Sequence, residues 1–275
     1  MICFLLCVFL VAPLGGANLT TVSLRDWVKL AVNLVMLKAP QAPAAFEGLP
    51  YAALNGSMWT ISYEFRCYLL AGLLGALGLY RHRYLYLTLT VLLVLANLLF
   101  LLPLGDVIEQ TARPLNALLG TPAQSVRLTA TFMCGACLRL FPVEYKAPHA
   151  AVAGALLAGA LFVPALAGIA LMTLGAYVLF WAAYNISRPP LRTLNAKDDI
   201  SYGVYLYAWP AGTLLLWYWR DMPLLAHGLT TLAAALFFGF LSWHLLEKRF
   251  MALKAKVGGP KVRISPPEPA TAGPP

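Results

Sequence analysis

Nine apolar runs follow one another along the chain, and short polar segments separate them. They span residues 1–14, 27–37, 58–79, 84–104, 128–141, 150–163, 165–184, 200–219 and 224–246. A helix needs about 20 residues to cross a bilayer, and tilting or anchoring residues relax this by a few either way. Eight runs are acceptable as spans, whereas residues 27–37 are too few. The pattern predicts an all-α, polytopic membrane bundle of about eight spans plus one interfacial or re-entrant helix.

Composition supports this assignment. Of the 275 residues, 60% are hydrophobic and 11% are charged, and the mean hydropathy is +0.73. A soluble domain carries about 25% charged residues, so this chain is predicted to use lipid as part of its solvent. The net charge of +9 resides at the ends of apolar runs. That distribution is typical of membrane topology and argues against a nucleic-acid partner.

The basic residues also predict a topology. Strict alternation of eight spans puts thirteen of the 20 Lys and Arg residues on one side and six on the other. Cytoplasmic loops are rich in Lys and Arg, so the richer side is predicted to be cytoplasmic, with both termini inside. The ending "SPPEPATAGPP" predicts a disordered tail over residues 251–275, after a membrane domain over residues 1–250.

One predicted span carries two charged residues. In "NGSMWTISYEFRCYLL", Glu64 and Arg66 are two positions apart, so they point to different faces of a helix and do not pair directly. An ionisable group at the bilayer centre costs about 2.5–3.5 kcal/mol, so each needs a partner or a water-filled cavity. Charges on two faces predict a helix surrounded by protein. Helical spacing groups Trp59, Ser62, Tyr63 and Arg66 on one face. The functional interpretation competes with a structural polar clamp between helices.

Two further motifs carry polar groups at the ends of spans. "DDISYGVYLYAWP" places Tyr202, Tyr205 and Trp209 on one helical face, which suits either aromatic packing or a functional surface. "SWHLLEKRF" places His244 three residues before Glu247, although ordinary interfacial anchoring is the simpler explanation of that segment. These motifs remain open to both interpretations on the residues alone.

The sequence predicts no metal site and no tightly bound cofactor. Cys134 and Cys137 form a CxxC pair inside a predicted span, without a second pair or a nearby His. Such cysteines are expected to pack as small apolar side chains. The sequence also contains neither a phosphate-binding loop nor a dinucleotide-binding fingerprint.

The three motifs, their order and their spacing resemble one family. "AFEGLPYAALNGS" runs into "NGSMWTISYEFRCYLL", and the other two motifs follow. Over essentially the whole chain except the tail, this resembles the acyltransferase-3 family of bacterial membrane enzymes. The resemblance implies transfer of an acyl group, commonly acetyl, from cytoplasmic acyl-CoA to a hydroxyl of a cell-surface glycan or lipid-linked sugar. It also implies location in the bacterial inner membrane, with acyl-CoA as a substrate.

The resemblance suggests roles for individual residues. The reaction needs a base for the sugar hydroxyl and donors for the developing oxyanion. Glu64 is predicted to orient a catalytic His, and Arg66 to stabilise charge or act as a structural partner. Substrate contacts are predicted at Asn55, Trp59, Ser62, Tyr63, Tyr202 and Tyr205. Donor phosphates are expected to be drawn to basic residues, with Arg81, Arg83, Arg188 and Arg192 as candidates.

The start of the chain departs from the family pattern. Family members carry an Arg and, about ten residues later, a His on an N-terminal helix, and nothing here matches that pair. The run 1–14 would reach about 21 Å, short of a hydrocarbon core of about 30 Å. We therefore expect a truncated chain or a misassigned start codon, and no acyl transfer from these 275 residues alone. In-frame codons upstream of Met1 would test this expectation.

Two other classes of function fit the residues. A transporter or flippase could use Glu64 for ion coupling, although no internal repeat is visible. A non-catalytic membrane scaffold is the other alternative.

Overall fold

The computed structural model describes residues 1–185 and 198–257, and these residues form helices and connecting loops without a strand. Ten helices account for most of the described chain. They are α1 (Ile2–Leu14), α2 (Leu24–Val35), α3 (Ile61–Ala76), α4 (Arg83–Leu99), α5 (Pro103–Ala112), α6 (Pro122–Leu140), α7 (Ala147–Ala160), α8 (Pro164–Asn185), α9 (Ser201–Tyr218) and α10 (Leu224–Ser242, continuing through Trp243–Glu247 and Lys248–Val257). The prediction of a helical fold is confirmed.

The prediction of eight membrane spans is not confirmed. By length and apolar composition, α8 and α10 are the described helices able to cross a membrane. A third crossing is obtained if α4 and the segment Pro103–Leu115 form one bent span. The shorter apolar helices α1 and α7 fall below the length of a full crossing. The described structure is therefore helical, with two or three candidate spans.

Proline explains one of the differences from the predicted runs. The run 84–104 was expected to be one continuous helix, but α4 ends at Leu99 and the chain turns by 101° before Pro103 begins α5. Proline lacks an N–H and clashes with the preceding turn, so it is tolerated in the first turn of a helix and not inside one. The same rule applies to α6, which begins at Pro122, six residues before the predicted run 128–141.

The main core lies where α1, α9 and the segment 36–60 meet. Its members combine small and large apolar side chains from these separate parts of the chain. The buried residues are Cys3, Phe4, Cys7, Val8, Val11, Ala12, Ala17, Leu30, Ala45, Phe46, Leu54, Met58 and Leu206. Burial of this kind stabilises by about 25 cal/mol per Å² of apolar surface. The core therefore holds the segment 36–60, which contains no long helix, in a fixed position beneath α9.

Helices α9 and α10 pack closely because glycines face each other. A Cβ on Gly203 would lie 2.8 Å from the Cα of Gly239, and one on Gly239 would lie 2.9 Å from the Val204 nitrogen. Small residues at a helix crossing let the backbones approach and gain dispersion contacts. This contact fixes the position of the helix that carries the second sequence motif.

Helix α10 extends beyond its predicted end. The expected tail began at residue 251, but the helix continues to Val257. The added residues are mostly good helix formers, and the first strong breakers are the glycines and proline at 258–260. Residues 258–275 lie outside the described residues, so disorder of the tail stays a prediction.

Candidate functional site

Buried polar contacts fix the start of the first motif. Asn55 is fully buried; its Nδ2 donates to the Leu206 carbonyl at 2.8 Å, and its Oδ1 accepts from the Ser57 N–H at 3.0 Å. The second contact caps the 3₁₀ turn Gly56–Thr60, which leads directly into α3. Asn55 is thus placed as an architectural support, and its predicted contact with substrate stays a prediction.

The second motif packs directly on this turn. The Tyr205 hydroxyl donates to the Ser57 carbonyl, and Trp209 Nε1 donates to the Ala53 carbonyl at 3.0 Å. The Trp209 ring occupies the space beside Gly56, where a Cβ would lie 2.6 Å from the ring. Close approach of the ring therefore requires glycine at that position. Two motifs separated by about 150 residues form one structural unit.

Glu64 lies on the exposed side of α3. Its Oε1 accepts from Thr60 Oγ1 at 3.2 Å, and Thr60 Oγ1 lies 3.0 Å from the Tyr205 hydroxyl. The carboxylate makes no direct contact with Arg66, in agreement with the helical spacing. The prediction that protein surrounds α3 is wrong, because Glu64 and Phe65 are exposed.

Arg66 is held by neutral oxygen atoms on the opposite side of α3. Its Nε donates to the Ser62 carbonyl at 2.9 Å, Nη2 donates to Ser62 Oγ at 3.1 Å, and Nη1 donates to the Leu119 carbonyl. The guanidinium also lies 4.3 Å from the centre of the Tyr63 ring. The Tyr63 hydroxyl accepts from the Thr121 N–H at 3.1 Å. Arg66 therefore ties α3 to the loop before α6.

A cavity of about 420 Å³, called here the polar cavity, lies beside the Arg66 face. Its wall combines residues from three parts of the chain: Asn33, Lys38, Ala39, Gln41, Trp59, Ser62, Tyr63, Arg66, Asn116, Gly120 and Thr121. The four side chains predicted to share one helical face thus line a single cavity. Burial, followed by the nearby Arg66 guanidinium, lowers the pKa of Lys38. Two cations therefore face the same space.

Two residues between α5 and α6 give the polar cavity its shape. Gly120 has a φ of +73°, and a Cβ there would lie 2.3 Å from the Tyr63 hydroxyl, so both its conformation and its contact require glycine. Asn116 accepts from Lys38 Nζ through its backbone carbonyl at 3.5 Å. Its side-chain Oδ1 is buried and has no hydrogen-bond partner among the described residues. A buried acceptor without a partner is costly and calls for explanation.

A second cavity, called here the tyrosine cavity, measures about 370 Å³ and shares Lys38 with the polar cavity. Tyr202 and Tyr207 of α9 line it, together with Ser242 and Glu247 of α10. Glu247 Oε1 accepts from Ser242 Oγ at 2.8 Å. The predicted substrate residues are therefore divided, with Tyr202 on a different cavity from Trp59.

The third motif is tied to the start of the second through Asp198. Its Oδ1 accepts from Trp243 Nε1 at 2.8 Å and lies 3.4 Å from Lys248 Nζ and 3.6 Å from His244 Nε2. The indole hydrogen bond lowers the pKa of the Asp198 carboxyl, desolvation opposes it, and Lys248 and His244 add to the lowering. His244 thus pairs with Asp198, whereas Glu247 bonds to Ser242.

Arg81 and Arg83, two of the basic residues predicted to attract donor phosphates, do not line either cavity. Arg81 and Arg83 lie just beyond the end of α3 that is opposite Trp59 and Ser62. The 16 residues of that helix separate the two ends by about 24 Å. Arg188 and Arg192 lie outside the described residues. Their role with the donor stays a prediction.

Several cavity residues were not singled out from the sequence. Asn33, Lys38, Gln41 and Asn116 come from α2 and from loops, where no periodic pattern indicates a shared surface. All four His residues are described, and none of them lines the polar or the tyrosine cavity. Among residues 1–185 and 198–257, no group of three or more His, Cys, Asp or Glu side chains is arranged to hold a metal ion.

Comparison with curated proteins shows a distant similarity to an acetyl-transferring enzyme. A curated O-acetyl transferase of Shigella phage Sf6 is 26% identical over 234 residues. The match covers 81% of this chain, and the chain spans 64% of the length of the phage protein. No family model and no solved structure matches. The chain is thus similar to a protein named as an O-acetyl transferase, and the resemblance to the acyltransferase-3 family stays a prediction.

Proposed function

We propose that the protein is a membrane O-acyltransferase that moves an acetyl group from cytoplasmic acyl-CoA to a hydroxyl of a cell-surface glycan or lipid-linked sugar. The observation that carries the proposal is the convergence of the three motifs around α9, beside two adjoining cavities. The similarity to the phage O-acetyl transferase supports the same class of reaction. The motifs are distant in sequence, so a shared site accounts for their joint occurrence.

The reaction sets clear demands on the site. The sugar oxygen attacks the thioester carbonyl, a new C–O ester bond forms, and the C–S bond breaks. The hydroxyl proton passes to a base and finally to the departing thiolate. A positioned base contributes about 10²–10⁴-fold to such a step. A carboxylate that holds the base in one orientation is part of this contribution.

Glu64 is the proposed orienting carboxylate. Its exposed side leaves one oxygen available, while Thr60 fixes the other, and Tyr205 fixes Thr60 in turn. This chain of contacts holds the carboxylate in place without neutralising its charge. Trp59, Ser62 and Tyr63 are the proposed acceptor contacts, since they line the polar cavity. This cavity lies on the Arg66 side of α3, so the acceptor hydroxyl has to extend past these residues to reach a base held by Glu64.

The test replaces Glu64→Gln in the native gene, which keeps side-chain size and hydrogen bonding but removes the charge. Membranes are incubated with labelled acetyl-CoA, and label in the surface glycan is measured per inserted molecule. We expect a fall of about 10²–10⁴-fold in activity. Abundance should be unchanged, because Glu64 is exposed and glutamine can still accept the hydrogen bond from Thr60.

Glu144→Gln is the matched control. Glu144 is exposed and pairs with Lys146 at the surface, where an ion pair contributes about 0–1 kcal/mol. The acetyl-transfer activity of the Glu144→Gln variant should match that of the wild type. If membranes that carry the complete native gene transfer no label, the proposed reaction is wrong. If the Glu64→Gln variant of that protein retains full activity, the proposed role of the carboxylate is wrong.

A further inference from the structure

The polar cavity presents two unusual requirements to a ligand. Its wall holds two cationic side chains, Lys38 and Arg66, and the contacts that fix Arg66 are all to neutral oxygens. A guanidinium has five N–H groups, and these contacts engage three of its nitrogens once each. Arg66 therefore keeps donors and its full charge for a ligand.

The second requirement is a hydrogen-bond donor. Asn116 Oδ1 is buried behind the same wall and has no partner among the described residues, so a rotation of this side chain into the cavity would let it accept from a ligand hydroxyl. Trp59 adds an aromatic face, with 41% of its surface exposed, and Asn33 and Gln41 add amide groups. The cavity thus combines positive charge, an orphan acceptor and an aromatic surface, within the size range of small-molecule sites, about 300–1,000 Å³.

We propose that the polar cavity binds a phosphorylated sugar, with the phosphate on Lys38 and Arg66 and a sugar hydroxyl donating to Asn116 Oδ1. The proposal rests on the proposed function and identifies the acceptor as a sugar still joined to phosphate, as in a lipid-linked glycan. Charge-assisted hydrogen bonds from a guanidinium and an ammonium are a common way of holding phosphate.

The nucleotide part of the acyl donor has the same chemistry, since it also joins phosphates to a hydroxylated ring. The location of the cavity favours the acceptor. Lys38 and Arg113 belong to the side predicted to face away from the cytoplasm, and Arg81 and Arg83 belong to the opposite side. A cytoplasmic donor would approach from the Arg81 end of α3.

The experiment measures binding to the purified full chain in detergent by titration calorimetry, in phosphate-free buffer. The probes are glucose, glucose 1-phosphate, inorganic phosphate and coenzyme A. We expect glucose 1-phosphate to bind at least about tenfold more tightly than glucose, because it adds charge-assisted contacts. Equal binding of these two probes, or no binding of any probe, overturns the proposal.

Variants locate the contacts. Lys38→Gln should weaken binding of glucose 1-phosphate by about 10- to 100-fold and leave glucose unchanged, since one charged contact is lost. Asn116→Leu should weaken both sugar probes. Lys29→Gln is the control. It removes the same charge as Lys38→Gln, but from an exposed side chain of α2 that pairs with Asp26. An unchanged affinity in Lys38→Gln overturns the phosphate site.

Binding of coenzyme A shows whether the cavity takes the phosphate of the donor or that of the acceptor. Tighter binding of coenzyme A than of glucose 1-phosphate, lost in Lys38→Gln, would assign the cavity to the donor and overturn the acceptor assignment. Because the readout is binding, failure of acetyl transfer leaves this inference intact. The Lys38→Gln variant can also be assayed for acetyl transfer. If it transfers acetyl groups with an unchanged KM for the acceptor, the phosphate site is wrong, but the proposed reaction is still supported.

Discussion

The Arg66 side chain both connects parts of the protein and lines the polar cavity. Its planar fork reaches the Ser62 carbonyl, the Ser62 hydroxyl and the Leu119 carbonyl, while its outer surface faces the polar cavity. An ammonium group carries the same charge but cannot meet these three acceptors in the same geometry. The shape of the guanidinium therefore matters to the fold, and its charge matters to the proposed ligand.

Arg66→Lys separates these two contributions. We expect the variant to lose about 1 kcal/mol of folding stability, since a lysine ammonium cannot donate to the Ser62 and Leu119 carbonyls at the same time in this geometry. Thermal unfolding in detergent measures the loss, and Arg139→Lys, at an exposed position, should leave the midpoint unchanged. A variant as stable as the wild type would show that the contact with Leu119 contributes nothing to the fold.

Helical spacing predicts one wall of the polar cavity but not the residues that complete it from other parts of the chain. Ser62 and Tyr63 are each three or four positions from both Trp59 and Arg66, and the structure places the four residues together. Lys38 and Asn116 complete the wall from loops, where contact depends on tertiary packing instead of a repeating pattern. The orphan state of Asn116 Oδ1 is a property of that packing, so no sequence pattern indicates it.

The hairpin of α9 and α10 is the element that brings the second and third motifs together. Its crossing depends on Gly203 and Gly239, whose backbones approach too closely for a side chain. Helix α10 contains a natural comparison, since a Cβ on Gly228 would meet no atom within 4 Å. The same substitution can therefore be made at a crowded and at an open position of one helix.

Gly239→Ala should destabilise the protein by about 1–3 kcal/mol, because the added methyl group would press on the Val204 backbone. Gly228→Ala should be neutral or stabilising by up to about 1 kcal/mol, since alanine favours the helix. Unfolding midpoints of both variants in detergent give the comparison. Equal unfolding midpoints for the two variants would mean that α9 and α10 accommodate the added methyl group without loss of stability.

Element boundaries were less predictable than the elements themselves. The apolar runs predict every long helix approximately, but the run 84–104 predicts one continuous helix, whereas the chain breaks before Pro103. Polar residues such as Gln124 and Arg127 concealed the first turns of α6. The predicted number of spans is larger because apolar runs such as 1–14 and 150–163 form helices that are shorter than a full crossing.

The outer surface of the whole molecule is strongly apolar. Side chains such as Phe162 and Leu224 are each 88% exposed, and large exposed apolar patches mark surfaces that meet a partner or a membrane. Together with the apolar helices α8 and α10, this surface is compatible with association with a bilayer. The orientation in that bilayer rests on the distribution of Lys and Arg.

Cysteine labelling tests the orientation. His82→Cys and Gln110→Cys place new thiols at two exposed positions on opposite predicted sides. A membrane-impermeant maleimide added to intact spheroplasts should label the thiol at position 110 and reach the one at position 82 only after lysis. The parent protein controls for the five native cysteines. Labelling of the position 82 variant in intact spheroplasts would reverse the predicted orientation.

The buried hydrogen bond between Asn55 and the Leu206 carbonyl can form only late in synthesis of the chain. Its two partners are 151 residues apart, and a ribosome adding about 5–20 residues per second needs about 8–30 s to make the second after the first. Throughout that interval the amide of Asn55 has no access to its final acceptor. A nascent chain interrupted before α9 would expose this group together with the apolar segment beside it. Quality-control proteases should therefore remove such interrupted chains much faster than the finished protein.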